Sequence, residues 1–299
     1  MDRTVTGIHE RSKTVIRRLS SAVAAVLAVA FLSAPSAAAL AVPSPKEFVS
    51  LLDLECFKTD YYQPPATTLT LRHLNPVLSG LPIETVTLGP REQLCTPVAK
   101  NGNIPPDPVL EFIRFVDLAC YRVGGAASNA ALVLSQLNPV LQDVPRQQVT
   151  LGQSQQLCVP VLKNNVLPPD EVWKFVSHID LRCYGVTSQP MNRALKLEQL
   201  NRVVAGTIRP RDVRVTDARQ LCVPVQKRGD EIPAEVLKVV QWIDLEKYDV
   251  ISPSVTPTVN LTLQHINPVL RGLPAERATI GVPSQLAVPV AKNGQFPPG

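Results

Sequence analysis

The residues whose chemistry the sequence advertises are six cysteines, four aspartates and four lysines that recur at fixed spacing. Cys56 and Cys95, Cys120 and Cys158, and Cys183 and Cys222 lie 39, 38 and 39 residues apart. Two cysteines per interval, with no His or further Cys at short spacing, cannot complete a tetrahedral zinc shell. Six cysteines in an exported chain instead suggest three disulfides. Pairing across intervals, Cys95 with Cys120 and Cys158 with Cys183, would orphan Cys56 and Cys222, whereas pairing within intervals orphans none. A fourth interval has changed at both places together, to Lys247 and Ala287. Closing a loop of about 39 residues restricts the unfolded chain by roughly 4 kcal/mol.

Each first cysteine position sits in a phrase that starts with aspartate: Asp53, Asp117, Asp180 and Asp244, spaced 64, 63 and 64 residues apart. Each second position sits in a Leu-Cys-x-Pro-Val-x-Lys phrase that ends on Lys100, Lys163, Lys227 or Lys292. The Asp predicts either a satisfied backbone bend or an ion pair with its own Lys. A divalent-cation site is the competing reading, weakened because each interval offers one carboxylate without acidic companions. Catalytic candidates are poor. His73 and His265 exchange with Gln136 and Gln199 between copies, which does not suit a general base. His178 stands where other copies have Leu51, Phe115 and Trp242, so it predicts packing. Trp173 and Trp242 occupy different repeat positions, which favours core over a stacking platform. No phosphate loop, Ser-His-Asp spacing or His-Glu-x-x-His motif occurs. Asn260-Leu261-Thr262 fits a glycosylation acceptor. The expected catalytic, cofactor and metal sets are therefore empty.

Elements that position these residues follow from periodicity. Val109, Phe112, Ile113 and Val116 make one apolar helical stripe, matched by Val172, Phe175, Val176 and Ile179, and by Val236, Val239, Val240 and Ile243. Pro169, Asp170 and Glu171 supply first-turn chemistry. After each helix come four predicted strands: the Asp-Leu-x-Cys phrase, an alternating Leu pair such as Leu69 and Leu71, a third strand around Val86 and Leu88, and the Leu-Cys-x-Pro-Val phrase. In the fourth, proline predicts a sheet edge or a bulge. Asn75-Pro76-Val77, with counterparts at Asn138 and Asn267 and the variant Asn201-Arg202-Val203, reads as turn chemistry. Segments Lys58 to Thr68, Arg122 to Ala131, Gly185 to Ala194 and Asp249 to Asn260 differ in length and share almost no sequence, so discriminating contacts belong there.

Self-similarity at this period divides the 299 residues into 42–104, 105–167, 168–231 and 232–299, the last without cysteines. Residues 1–41 combine a basic head, a short apolar run and small residues, the pattern of a secretory signal peptide cleaved after Ala39 or Ala41. Its apolar run of about 12 is short of the roughly 20 residues a membrane span needs. Beyond position 41, 25 basic residues face 23 acidic ones, a net +2, and no basic block survives. Nucleic-acid binding is thereby excluded.

The paired phrases Leu-x-Cys-Tyr and Leu-Cys-x-Pro-Val-x-Lys resemble a family of uncharacterised secreted bacterial repeat domains of unknown function, over roughly residues 42–296. Members of that family usually carry His where this chain has Asp53, Asp117, Asp180 and Asp244, so the resemblance transfers no role to that position. It implies export and modular architecture, and no activity, cofactor or partner. The expectation is an α+β, mainly β chain of four tandem small antiparallel modules, each preceded by a short helix, three of them closed by an internal disulfide and strung along a semi-rigid rod. The expected role is a secreted, non-catalytic structural or interaction protein, extracellular or in the cell envelope. Its partner would be an unidentified extracellular or cell-envelope protein, and no membrane span remains after cleavage. An extracellular hydrolase or enzyme inhibitor of the cell-wall zone is the alternative.

Overall fold

The computed structural model describes residues 40–299, so the signal-peptide reading falls almost wholly outside the described residues. Four short helices carry the apolar stripes: α1 (Pro45–Val49), α2 (Asp107–Ile113), α3 (Asp170–Val176) and α4 (Ala234–Val240). Helices of one to two turns are marginal in isolation. They persist here because their buried faces pack together, with Phe175 edge-on to Phe48 and Phe112 at centroid distances of 4.8 and 5.3 Å. Ser44 adds a capping box to α1. Among the described residues no helix is long and apolar enough to cross a membrane.

The molecule is mainly β, and eight antiparallel strands close on themselves. β1 (Leu54–Tyr62) pairs with β4 (Arg91–Lys100), β4 with β5 (Leu118–Arg122), and β5 with β8 (Ser154–Lys163). β8 continues to β9 (Leu181–Gly185), β9 to β11 (Arg211–Lys227), and β11 to β12 (Leu245–Ile251). β12 pairs with β14 (Glu276–Lys292), and β14 returns to β1. Residues alternate between the two faces of this ring. Leu54, Cys56 and Cys95 join the helices in one core cluster, while their neighbours Phe57 and Leu94 join another. The inward positions thus form a lumen, with the four helices packed at one end.

Four hairpins cover the outside. β2 (Thr68–His73) pairs with β3 (Glu84–Thr87), and β6 (Ala131–Gln136) with β7 (Gln147–Thr150). β10 (Arg193–Gln199) and β13 (Val259–His265) pair with the first halves of β11 and β14. Each hairpin then docks two copies away: β2 on β11, β6 on β14, β10 on β4 and β13 on β8. The copies therefore do not stand as separate beads on a rod, because each one's hairpin completes the outer face of another.

Two further expectations change. The third and fourth strands are distinct in the first two copies, where Gly89-Pro90 and Gly152-Gln153 interrupt them, but merge into the 17-residue strands β11 and β14 in the others. The repeated proline sits neither at an edge nor in a bulge. Pro97, Pro160, Pro224 and Pro289 stand inside the ring, where each strand changes partner. Their carbonyls accept from Leu200, Ile266, Leu74 and Leu137 of the arriving hairpin segments. Missing an N–H costs nothing at a residue placed between two ladders.

Three disulfides join directly opposed residues, Cys56–Cys95, Cys120–Cys158 and Cys183–Cys222. Lys247 and Ala287 are opposed in the same register. The double variant Lys247→Cys with Ala287→Cys should therefore form a fourth bridge, stabilising by roughly 4 kcal/mol in chain-entropy terms. Non-reducing peptide mapping checks it, and free thiols at both positions would contradict this register.

Candidate functional site

The four aspartates come to the bend between helix and ring strand, where each is buried. Asp53, Asp117, Asp180 and Asp244 pair with Lys100, Lys163, Lys227 and Lys292 respectively. Each carboxylate also accepts from an asparagine of the next copy. Asn138 donates to Asp53 at 2.6 Å, Asn201 to Asp117 at 2.7 Å, Asn267 to Asp180 at 2.9 Å, and Asn75 closes the circle on Asp244 at 3.0 Å. The Oδ1 of the same asparagines caps the following turn through the N–H of Val140, Val203, Val269 and Val77. Burial pushes all four Asp carboxyls up to about 6, against the pull of the paired lysines. It pushes the lysines down. With one oxygen on an ammonium and the other on an amide, these carboxylates are spent on structure. Among the described residues no group of three or more His, Cys, Asp or Glu side chains is placed to hold a metal.

The histidines lie apart from one another. His73 Nε2 meets the Tyr184 hydroxyl at 2.9 Å and His265 Nε2 the Tyr121 hydroxyl at 3.2 Å, each beneath a hairpin. Burial brings His73 down to about 4. His178 does more than pack, since its Nδ1 lies 2.7 Å from Asp230. Glu84 joins His73 near Arg182, but Asp60 goes to Arg91 and the Thr279 N–H. His73, Asp60 and Glu84 thus share no cleft. Trp173 and Trp242 pack against the helix-end core.

The lumen holds what sequence reasoning missed. Lys247, 2% exposed, extends inward where the other copies have cysteine. Its Nζ donates to Gln93 Oε1 and Gln156 Oε1, both at 3.0 Å, and lies 3.7 Å from Cys120 Sγ and Cys158 Sγ. Buried Gln93, Gln156, Gln220 and Gln285 form a layer above it, two residues before Cys95, Cys158, Cys222 and Ala287 on the same strand face. Rim groups hold three of their amide nitrogens: Glu92 on Gln156 at 2.7 Å, Gln155 on Gln220 at 2.7 Å, and Asp249 on Gln285 at 3.3 Å. No carboxylate touches the ammonium, and desolvation lowers it to about 7, opposed only by Glu92. The signal was present: the Gln-Leu pair precedes the second cysteine position in every copy, and alternation places Gln beside Cys. The sulfurs also neighbour one another, Cys95 to Cys120 and Cys158 to Cys183 at 3.7 Å.

Strands β1, β5, β9 and β12 run the same way, since each is two antiparallel steps from the next. They leave the helices and end at the opposite mouth. All four dissimilar segments, starting at Lys58, Arg122, Gly185 and Asp249, therefore emerge around that mouth. Exposed Tyr61, Ile251 and Val282 lie there, as does a depression of about 420 Å³ lined by Glu92, Arg122, Gln153, Gln155 and Gln220 among others. The chain matches no protein-family model, no curated protein and no solved structure.

Asp117→Ala leaves Lys163 buried and unpaired, so calorimetry should show a loss of about 3–5 kcal/mol. The loss should be equal in calcium and in chelator; a calcium-dependent difference would restore the cation reading. Lys247 sets a pH dependence. Between about 7 and its usual 10.5 the unfolded chain keeps a proton that the folded chain has released, so stability rises with pH across that window. Relative to Lys247→Met, the native protein should gain up to about 2.7 kcal/mol from pH 7 to pH 9 in denaturant titrations, at 1.36 kcal/mol per unit. Parallel profiles would show that the amine is not desolvated.

Proposed function

We propose that this chain is a secreted, non-catalytic interaction protein, built from four repeat modules folded into one ring, that engages an extracellular or cell-envelope partner through its mouth. One observation carries the reading: the four segments that differ in length and share almost no sequence between copies all emerge at the same end. Loops on a rigid β scaffold are the usual carriers of discriminating contacts, and barrel mouths are frequent binding places. The disulfides suit an oxidising compartment, which supports export. The opposite end repeats one feature, an apolar residue before proline at Ile104, Leu167, Ile232 and Phe296. A feature common to every copy cannot supply the discrimination that the dissimilar loops can.

The alternative of a hydrolase or an enzyme inhibitor of the cell-wall zone needs polar groups converging on one cleft, and His73, Asp60 and Glu84 go to different partners. The test is retention from cell-envelope extracts by the native protein and by two sets of variants. Replacing only the residues between strands at this mouth, 63–67, 123–130, 186–192 and 252–258, with Gly-Ser linkers of equal length should abolish capture while the disulfide-closed ring keeps its strand pairing. Leu167→Ser and Phe296→Ser at the other end should leave it intact. Capture that survives loop replacement and fails with the second set would reverse the assignment.

A further inference from the structure

Among the described residues, one ammonium, that of Lys247, lies against a disulfide, and it is the middle one of the three. Lys247 comes from the fourth copy and crosses the lumen to the second, so that its Nζ is 3.7 Å from both Cys120 Sγ and Cys158 Sγ. Among the described residues no other Lys or Arg hydrogen-bonds a cysteine sulfur. Its remaining contacts are two neutral amide oxygens, so no carboxylate touches this cation in the oxidised protein, and Glu92 acts on it only from a distance. A buried cation without a counter-ion is costly, and a thiolate beside it removes that cost. Cations near cysteine also lower thiol pKa values. The asymmetry acts in one direction, since the ammonium contacts the sulfurs of Cys120 and Cys158 and so stabilises the reduced state of that pair above the other two.

We propose that Cys120–Cys158 is a redox-active disulfide, poised by Lys247 to be reduced by extracellular dithiols before the other two. A thiolate of the dithiol attacks one of the two sulfurs. The S–S bond breaks, a mixed disulfide forms, and the other sulfur leaves with the electron pair as a thiolate beside Lys247. The dithiol's second thiolate then attacks the mixed disulfide, releasing the second cysteine sulfur and the cyclic oxidised dithiol. Two electrons and two protons pass to the protein, and one of the protons rests on Lys247 where it faces the thiolate. Stabilising the reduced form is what makes a disulfide oxidising.

The mature oxidised protein is equilibrated at pH 7 in buffers of graded dithiothreitol to oxidised dithiothreitol ratio, acid-quenched, and its free thiols are tagged and mapped by mass spectrometry. The first tags should fall on Cys120 and Cys158. Lys247→Met should make that pair about tenfold harder to reduce, a fall of about 30 mV, while Cys56–Cys95 and Cys183–Cys222 keep their midpoints. Lys247→Gln, which retains a donor without the charge, should behave like Lys247→Met and serves if the latter does not fold. First tags on another pair, simultaneous reduction of all three, or an unchanged Cys120–Cys158 midpoint in both variants would overturn the proposal.

Discussion

The structure depends on a buried carboxylate that answers to two copies at once. Asp53 takes an ammonium from its own copy and an amide from the next, and the last of the four, Asp244, takes its amide from Asn75 of the first. Ion pairs this deep contribute little net stability, but breaking one leaves an uncompensated charge. Their value here is geometric. An asparagine that caps its own turn and donates to its neighbour's aspartate fixes where one copy begins relative to the other. Four such links with no end specify a closed ring and disfavour an open array. Within each copy the backbone holds the same aspartate in place: the carbonyls of Asp53, Asp117, Asp180 and Asp244 accept from Val98, Val161, Val225 and Val290 just past each proline.

Closure explains how units of about 64 residues can fold with so few aromatics. Units that small bury too little surface to stand alone. Here the inward leucines of all four and the half-cystines of three share one lumen with the helices, and the outer faces are covered by borrowed hairpins. The Lys46 N–H also bonds the Pro298 carbonyl at 3.0 Å, tying the last copy to the first helix. Edge strands, a hazard in open sheets, are reduced to two four-residue strands, β3 and β7.

What the sequence made legible is what is local or exactly repeated. The helical stripes, the alternating leucines, the opposed cysteines and the Asp-to-Lys pairing could be read from spacing, because each involves residues within one copy. The ring could not, because pairing β1 with β14 joins the two ends of the chain and no local pattern encodes it. Nor could the hairpin exchange: Leu69 and Leu71 alternate identically whether they cover their own strand or one two copies away. Lys247 was visible as a change at a cysteine position, but the loss of a bridge was legible and the direction of the side chain was not. Gln93, Gln156, Gln220 and Gln285 do not stand out as buried although the Gln-Leu pair repeats, since polar residues on a strand read first as a solvated face.

Hydrophobic matching alone would let any hairpin sit on any face of a four-fold ring, so the correct exchange needs a second code. The residues two positions after each aspartate, Glu55, Ala119, Arg182 and Glu246, are all buried on the outer face and differ where the rest of the phrase repeats. So do the residues at the equivalent hairpin position, Glu84, Gln147, Arg211 and Glu276. In the fold, Glu55 meets Arg211, Arg182 meets Glu84, and Glu276 pairs with Arg91 and the Tyr121 hydroxyl above the neutral Ala119. Glu246 has no cation, and burial raises its carboxyl while Tyr248, Ser188 and Gln136 donate to it. Setting the first hairpin on its own copy would press Glu84 against Glu55, and setting the third on its own would press Arg211 against Arg182. Like charges in such places cost several kcal/mol, enough to reject a misplaced hairpin that the leucines would accept. The same interactions that look like decoration on a repeat therefore decide which copy covers which, and the sequence spends its variation there and at the mouth.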